Sequence, residues 1–389
     1  MAAPTARARL RGMVAAIAAA SLFAFGLSLS LPLLSILLER MGATGAEIGL
    51  NTAAAAFAIL VGGALLPLAL KRISLPALML CGMGAMSVLL LAFPLFPDIW
   101  VWMGLRFLFG FAAAALFFGS EIWIVSAAPA EKRGLAIGVY GLFLSIGFLA
   151  GPTLLKLIGT EGFAPFLAGA AISLLAAPPV MIAWADRPEL SEEGAGGSFR
   201  EVFRFFRTDP AILWAVTLFG VIEMGAMGLF PVWGLRSGLD QGAALTLVAL
   251  ISAGNVVMQV PMGWIGDRLD RRRLLGFCAA VSCFAAALFP ALAATTWPLW
   301  ITTAIWGGLV VGLYTFALNE LGARYSGAEL ARGTGAFMSA YGLGALFAPP
   351  LLGAAMDLVP PHGMFAALAL ASAAYVGLLT FRRRRVDTA

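Results

Sequence analysis

Two ionisable side chains lie in the middle of long apolar segments. Glu223 lies in VTLFGVIEMGAMGLFPVW and Arg106 in MGLRFLFGF. At a rise of about 1.5 Å per residue, Glu223 lies roughly 18 Å, and Arg106 about 10 Å, from the start of its segment. A charge at such depth in hydrocarbon costs at least about 2.5 kcal/mol. Each side chain should therefore face a polar cavity and have either a partner or a function.

Three interpretations of this pair are open. Glu223 takes up and releases a proton as its surroundings change, with Arg106 favouring the charged form when the two approach. Alternatively, a permanent ion pair between Arg106 and Glu223 only fixes the packing of helices. In the third interpretation, Glu223 binds a cationic substrate or Arg106 binds an anionic one.

Three amides in apolar segments belong to the same candidate site. Asn255 and Gln259 are four residues apart, so they share one face of a helix. They either line a cavity or form hydrogen bonds between helices. Asn51 is a further amide inside an apolar span. The candidate proton-coupling or substrate-binding residues are therefore Glu223, Arg106, Asn255, Gln259 and Asn51.

A second group of charges lies in the segment PMGWIGDRLDRRRLL, residues 261–275. Asp267 is placed to accept hydrogen bonds at a helix N-terminus, and the arginines to pair with carboxylates at helix ends. The alternative is that the arginines only anchor the chain at the membrane surface. Glu121 and Glu320 each lie within about 10 Å of a helix end. Their expected partners are Lys71 or Arg72 for Glu121, and Arg268 or Arg271 for Glu320.

The composition of the chain identifies the elements that position these residues. Of 389 residues, 61% are hydrophobic and 12% are charged, about half the charged fraction of a soluble domain. Apolar stretches long enough to cross a bilayer as helices recur throughout, without the alternation of a membrane β-barrel. The chain is therefore an all-α integral membrane protein with twelve predicted spans. The spans are 12–38, 47–70, 73–94, 99–127, 134–158, 163–184, 211–235, 243–265, 273–294, 298–322, 333–358 and 362–380.

The distribution of basic residues predicts the orientation. Of the 25 Lys and Arg residues, 21 fall in connections or tails on one side of the predicted membrane. Only Arg40 and Arg236 lie in the opposite loops. By the positive-inside rule, both termini are cytoplasmic, which fits a multi-pass protein of a cell inner membrane. Because the basic residues follow the membrane side, the net charge of +5 does not indicate a nucleic-acid partner.

A long polar connection divides the predicted spans six and six. It predicts an N-terminal bundle over 1–185, a cytoplasmic linker over 186–210 and a C-terminal bundle over 211–389. FREVFRFFR in the linker is expected to be a short amphipathic helix with aromatic rings toward lipid. At an offset of 199 residues the halves share several residues, including Glu121 with Glu320. Such parallel repeats predict two pseudo-symmetric six-helix bundles with a substrate site between them.

These features resemble the major facilitator superfamily. Its signature loop, G-x-x-x-D-R-x-x-R-R-[RK], is matched by Gly263, Asp267, Arg268 and Arg271–Arg273. The resemblance implies that the loop latches the cytoplasmic side when the protein is open outward. The candidate gate network is Asp267, Arg268, Arg271, Glu121, Glu320 and Arg72.

Two further segments resemble motifs of the superfamily. RFLFG, from Arg106 to Gly110, resembles its fourth-helix motif, which is associated with proton coupling, although Phe109 replaces the usual glutamine. GFLAGP, from Gly147 to Pro152, resembles the antiporter motif without its following glycine pair. Helix packing through small residues is the alternative explanation of this segment. SEIWIVSAAPAEKRGLAIGVYG and YGLGALFAPP resemble the YcaD-like bacterial members.

The sequence predicts a carrier of a small organic compound, coupled to protons and favouring export. A symporter or uniporter for an anionic metabolite is the alternative within transporters, and a membrane sensor or membrane-embedded enzyme is the alternative from another class. No catalytic cluster, metal site, cofactor motif or Walker lysine motif is visible. The expected partners are a small-molecule substrate, protons and the lipid bilayer, and the protein is expected to function as a monomer.

Overall fold

The computed structural model describes residues 5–129, 132–188, 199–266 and 268–387. Asp267 and residues 189–198 of the predicted linker lie outside these ranges. The described residues contain no β-strand. Their α-helices are α1 (Ala6–Arg40), α2 (Gly45–Ala69), α3 (Leu75–Ala92), α4 (Ile99–Ala127), α5 (Arg133–Ile158), α6 (Ala164–Ser173), α7 (Ala177–Ile182), α8 (Phe199–Thr208), α9 (Pro210–Arg236), α10 (Gln241–Gly266), α11 (Arg271–Leu292), α12 (Trp297–Arg324), α13 (Gly327–Leu358) and α14 (Gly363–Asp387).

Among the described residues, twelve segments are long and apolar enough to cross a membrane, which confirms the predicted number. The sixth span, Ala164–Ile182, differs from the predicted continuous helix because it is divided into α6 and α7. Pro178 and Pro179 open α7, and neither nitrogen carries a hydrogen for a bond to the preceding turn. The turn at Leu174–Ala176 is the consequence.

The predicted amphipathic helix of the linker is α8, but one of its rings packs on protein instead of facing lipid. Phe205 is 1% exposed and contacts the ring of Tyr325, with 5.4 Å between centroids. Phe203 is 60% exposed, and the Arg207 guanidinium lies over its ring. The expectation that the aromatic residues face lipid is therefore wrong for Phe205.

The described residues fall into two compact units. The first is bounded by Met1–Leu37 with Ala54–Gly194, and the second by Leu38–Ala53 with Ala195–Ala389. The end of α1 and the start of α2 thus belong to the second unit. The division into domains at 186–210 stays a prediction.

Within the first unit, α5 crosses α1 at small residues. A side chain added at Gly147 would collide with the carbonyl oxygen of Ser21, and one at Gly151 with Ser28. The hydroxyl of Ser28 donates a hydrogen bond to the Gly147 carbonyl at 3.1 Å. The GFLAGP segment therefore provides a tight helix crossing.

In the second unit, α9 and α13 also cross closely at glycine residues. Gly220 lies against the Tyr341 carbonyl oxygen, and Gly344 against that of Thr217. Toward the C-terminal end of α9, aromatic rings fill the core. These buried or largely buried rings are those of Phe230, Trp233, Phe289, Trp306 and Phe365.

Candidate functional site

Glu223 lies halfway along α9, about 20 Å from either end at 1.5 Å per residue. Its carboxylate accepts a hydrogen bond of 2.6 Å from the hydroxyl of Tyr341 on α13. The glycine crossing at Gly220 lies one turn from Glu223 and brings the two helices close enough for this bond. Both side chains are partly exposed. An acid at mid-depth is thus held inside the second unit while part of its surface remains accessible.

The neighbouring amides on α10 are turned away from that helix's exposed face. Val257 and Val260 are 69% and 80% exposed, as expected of side chains that face lipid. At about 100° per residue, Asn255 and Gln259 lie on the opposite side of α10. Both amides are partly exposed. Their orientation fits the predicted cavity-lining face.

Arg106 lies in the first unit on α4 and is completely buried. Its three guanidinium nitrogens have no hydrogen-bond partner among the residues that the structure describes. The guanidinium lies 5.8 Å from the centroid of the Phe109 ring, which is also buried. One turn further along, Gly110 lets α4 approach Ala55 of α2. Arg106 is therefore a permanent cation in an apolar environment.

Asn51 has a similar character. It is 2% exposed, and its side-chain nitrogen has no hydrogen-bond partner in the described part of the chain. The next residue, Thr52, donates its hydroxyl hydrogen to the Ile48 carbonyl at 3.1 Å. A buried amide whose donors are unused is costly, so Asn51 is a candidate for a polar contact that the described residues do not supply.

The charges near the junction of α8 and α9 form a continuous network, here called the Arg324 cluster. Arg324 contacts Asp209 at 2.7 Å and Glu320 at 2.7 Å, and Arg271 approaches Glu320 to 3.8 Å. The hydroxyl of Tyr325 also donates to Asp209. Burial, together with the hydrogen bond to Asp209, raises the pKa of Tyr325 above its ordinary value.

Of the predicted gate residues, Arg271 and Glu320 contact each other, whereas Arg268 does not join them. Glu320 lies beside Arg271, one of its two expected partners. Arg268 instead stacks on Trp264, with its guanidinium carbon 3.7 Å from the ring centroid. Asp267, the acid of the signature loop, lies outside the described residues.

Glu121 does not pair as predicted. No ion pair joins it to Lys71 or Arg72, all of which the structure describes. Its neighbour Ser120 contacts the hydroxyl of Tyr140, with 3.0 Å between the oxygens. The repeat mates Glu121 and Glu320 thus have different environments.

A third charged group, the Arg236 cluster, was missed by the sequence analysis. Arg236 binds Glu39 through two hydrogen bonds of 2.8 Å and Asp357 through one of 2.9 Å. Asp357 also accepts hydrogen bonds from the backbone nitrogens of Gly45 at 2.8 Å and Ala46 at 2.9 Å. The carboxylate therefore caps the N-terminus of α2, where the helix dipole favours an anion.

Close backbone contact accompanies the Arg236 cluster. A side chain at Gly49 would collide with the Pro349 backbone, and one at Gly353 with the Gly45 carbonyl. The available sequence signal was the position of charged residues at the ends of neighbouring spans. Sequence spacing alone did not reveal that residues 39 and 45 meet residues 236 and 357.

The sequence profile of the Major Facilitator Superfamily matches residues 16–258 and 239–389. An uncharacterized MFS-type transporter, YfkF of Bacillus subtilis (strain 168), is 27% identical over 275 residues, covering 69% of this chain and 70% of its own. One from Yersinia pestis (strain Pestoides F) is 23% identical over 287 residues, covering 74% and 73%.

Solved structures show the same fold. The nucleoside transporter NupG (D323A mutant) superimposes with a TM-score of 0.75 at 14% identity, covering 96% of this chain and 98% of its own. A D-xylose-proton symporter superimposes with a TM-score of 0.70 at 14% identity, covering 94% and 97%. The twelve spans, the all-helical fold and the matching profile agree: the chain belongs to the major facilitator superfamily of transporters.

Proposed function

We propose that the protein is a proton-coupled secondary transporter that moves a small organic compound across the inner membrane by alternating access, with export favoured. Glu223 carries the proposal. It combines mid-depth position, partial exposure and a hydrogen bond to Tyr341. A carboxyl group that costs so much to place in a membrane-spanning helix is retained for a function, and binding a proton or a ligand is that function.

The remaining polar residues support the same proposal. Asn255 and Gln259 point away from the exposed face of α10, and Arg106 and Asn51 have donors unused by the described residues. We assign the five residues to proton coupling or substrate binding. This assignment explains why polar groups occur at depth in otherwise apolar helices.

Two charged clusters at opposite ends of α9 fit the two gates of alternating access. With both termini cytoplasmic, the Arg236 cluster lies at the outer face and the Arg324 cluster at the inner face. Each state of a transporter needs contacts that the other state lacks. We assign the Arg236 cluster to closure of the outer side, which joins the start of α2 to α9 and α13.

The inner gate then includes Asp267, Arg268, Arg271, Glu121, Glu320 and Arg72. The six-plus-six division at residues 186–210 would separate the moving halves. The preference for export rests on the resemblance of GFLAGP to the antiporter motif. A structural neighbour is a D-xylose-proton symporter, so the fold also accommodates transport of solute and proton in one direction.

Arg106 supports a second candidate function, a symporter or uniporter for an anionic metabolite. Its guanidinium is buried and lacks a described hydrogen-bond partner. Because arginine stays charged, the missing counter-charge would be supplied by a carboxylate or phosphate group of the substrate.

A ligand screen followed by flux measurement tests the proposal. Purified protein is screened by thermal unfolding against cationic, anionic and neutral compounds at two pH values, since a ligand of the folded state stabilises it. The hits are then measured in proteoliposomes with and without an imposed pH gradient. Proton-coupled transport predicts flux that follows the gradient in the wild type and loses this dependence in Glu223→Gln. Flux with an unchanged response to pH in that variant would remove Glu223 from the coupling mechanism.

A further inference from the structure

An aromatic layer borders Glu223 within the second unit. It consists of Phe219 on α9, Tyr314 on α12, and Phe337 and Tyr341 on α13. The centroid distances are 5.5 Å for Phe219–Tyr314, 6.0 Å for Phe219–Tyr341 and 5.2 Å for Tyr314–Phe337. Three helices thus contribute rings to one continuous patch, and Tyr341 links the patch to the carboxylate.

The depth of the layer places it on one side of Glu223. Phe219 lies about 14 Å from the start of α9, and Tyr314 about 15 Å from the end of α12, at 1.5 Å per residue. Glu223 is about 20 Å from the start of α9. Since the end of α12 and the start of α9 meet at the Arg324 cluster, the rings lie between that cluster and Glu223. A solute entering from that end would pass the rings before reaching the carboxylate.

Only part of the layer is accessible. Tyr314, Tyr341 and Glu223 are partly exposed, whereas Phe219 is 6% and Phe337 0% exposed. On α12 the exposed face carries Ile301 and Ile305, and Tyr314 lies on the opposite side at about 100° per residue. The Tyr314 ring therefore presents accessible surface on the side of α12 that faces away from lipid, and Tyr341 joins the same patch through its contacts with Phe219 and Glu223.

The charge around this surface is negative. Among the described helices of the second unit, Glu223 is the only acidic or basic residue more than five positions from a helix end. A ring face attracts a cation electrostatically, most strongly when the cation is removed from water. A metal ion would need several oxygen ligands, and the described residues contain no group of three or more acidic, His or Cys side chains that could supply them.

We propose that Glu223, Tyr314 and Tyr341 bind an organic cation, a compound that carries a protonated amine or another onium group on an apolar body. This inference rests on the proposed function, because it names the substrate class of the same site. The carboxylate neutralises the cationic group of the ligand. The two phenol rings contact this group and the apolar body that carries it, and Phe219 and Phe337 hold the phenol rings in place.

Two probes of nearly equal size and opposite charge test the assignment. Tetraphenylphosphonium and tetraphenylborate are equilibrated with the full-length protein in nanodiscs, and empty nanodiscs correct for partition into lipid. We expect the phosphonium to bind at least ~10-fold more tightly than the borate, and Glu223→Gln to abolish this preference. Equal binding of the two ions, or tighter binding of the borate, would overturn the cation assignment and, in the second case, favour an anion site at Arg106.

Variants of Tyr314 distinguish specific recognition of the cation from nonspecific hydrophobic binding. Tyr314→Leu should weaken binding of the phosphonium by ~10-fold, and Tyr314→Phe should restore it, because the ring face makes the contact. Phe284→Leu removes a ring that is 70% exposed on α11 and serves as the matched control. Thermal unfolding verifies that each variant is folded. If Tyr314→Leu binds like the wild type, or Tyr314→Phe fails to restore binding, the aromatic contact is refuted.

The two proposals fail separately. Selective binding of the phosphonium without flux driven by a pH gradient would reject proton-coupled transport and retain the cation site. Flux that follows the gradient without any preference for the phosphonium would retain transport and reject the cation site.

Discussion

Each of the two units carries one ionisable side chain deep in a long helix, and the two side chains differ in burial and in hydrogen-bond partners. In the first unit, Arg106 is completely buried and has no hydrogen-bond partner among the described residues. In the second, Glu223 is partly exposed and accepts a hydrogen bond from Tyr341. Among the described residues, the acid therefore has a hydrogen-bond partner and the base has none. This contrast suggests that Glu223 is ready to act in the conformation observed, whereas Arg106 obtains its counter-charge at another stage of the cycle.

Replacing Arg106 gives the largest expected effect on this contrast. We expect Arg106→Met to abolish transport while raising the thermal unfolding midpoint by about 2 °C or more, because an unpaired charge leaves the interior. Arg236→Met is the matched control. It leaves Glu39 and Asp357 without their cation and should lower the midpoint. A lower midpoint for Arg106→Met would show that the folded protein already supplies the arginine with a partner.

Uncapping α2 has the next largest effect. Asp357→Asn removes the charge that accepts the Gly45 and Ala46 amide hydrogens and that binds Arg236. We expect hydrogen exchange at these two amides to become ~10-fold faster, because the Arg236 cluster opens more often.

Glu47→Gln is the control for this measurement. Glu47 also binds the start of α2, through Thr44, but it has no part in the Arg236 cluster. Exchange that accelerates equally in both variants would mean that Asp357 acts only as a local helix cap.

The smallest expected effect on stability concerns Glu121 and Glu320, the two acids at equivalent positions of the two halves. Glu320→Gln weakens contacts to Arg271 and Arg324, so its unfolding midpoint should fall by about 2 °C. Glu121→Gln should leave the midpoint unchanged or raise it, because no ion pair of Glu121 is found with the described residues. If both variants lose stability equally, the two acids have equivalent partners and the asymmetry is wrong.

Much of the fold was predictable because it depends on local composition. Runs of apolar residues predicted twelve spans, and twelve suitable segments are found in the described part of the chain. The break in the sixth span was not predicted, although Pro178 and Pro179 were a visible signal for it. The amphipathic pattern predicted α8, but not that Phe205 would pack on Tyr325.

The candidate site was predictable only in part, because its contacts join residues that are far apart in sequence. The cost of a buried charge singled out Glu223 and Arg106 without any structural information. Nothing in the sequence indicated Tyr341, which lies 118 positions from Glu223. The same is true of Asp357, which lies on α13 and caps the start of α2, because a cap supplied by another helix leaves no local pattern in the sequence.

Charge movement after a pH jump tests the role of Glu223 most directly, and it needs no knowledge of the substrate. Proteoliposomes on a solid-supported membrane are exposed to a rapid change in pH, and the transient current from proton binding is recorded. The account predicts a current in the wild type that disappears in Glu223→Gln and persists in Glu47→Gln. A current of equal size and pH dependence in Glu223→Gln would contradict it.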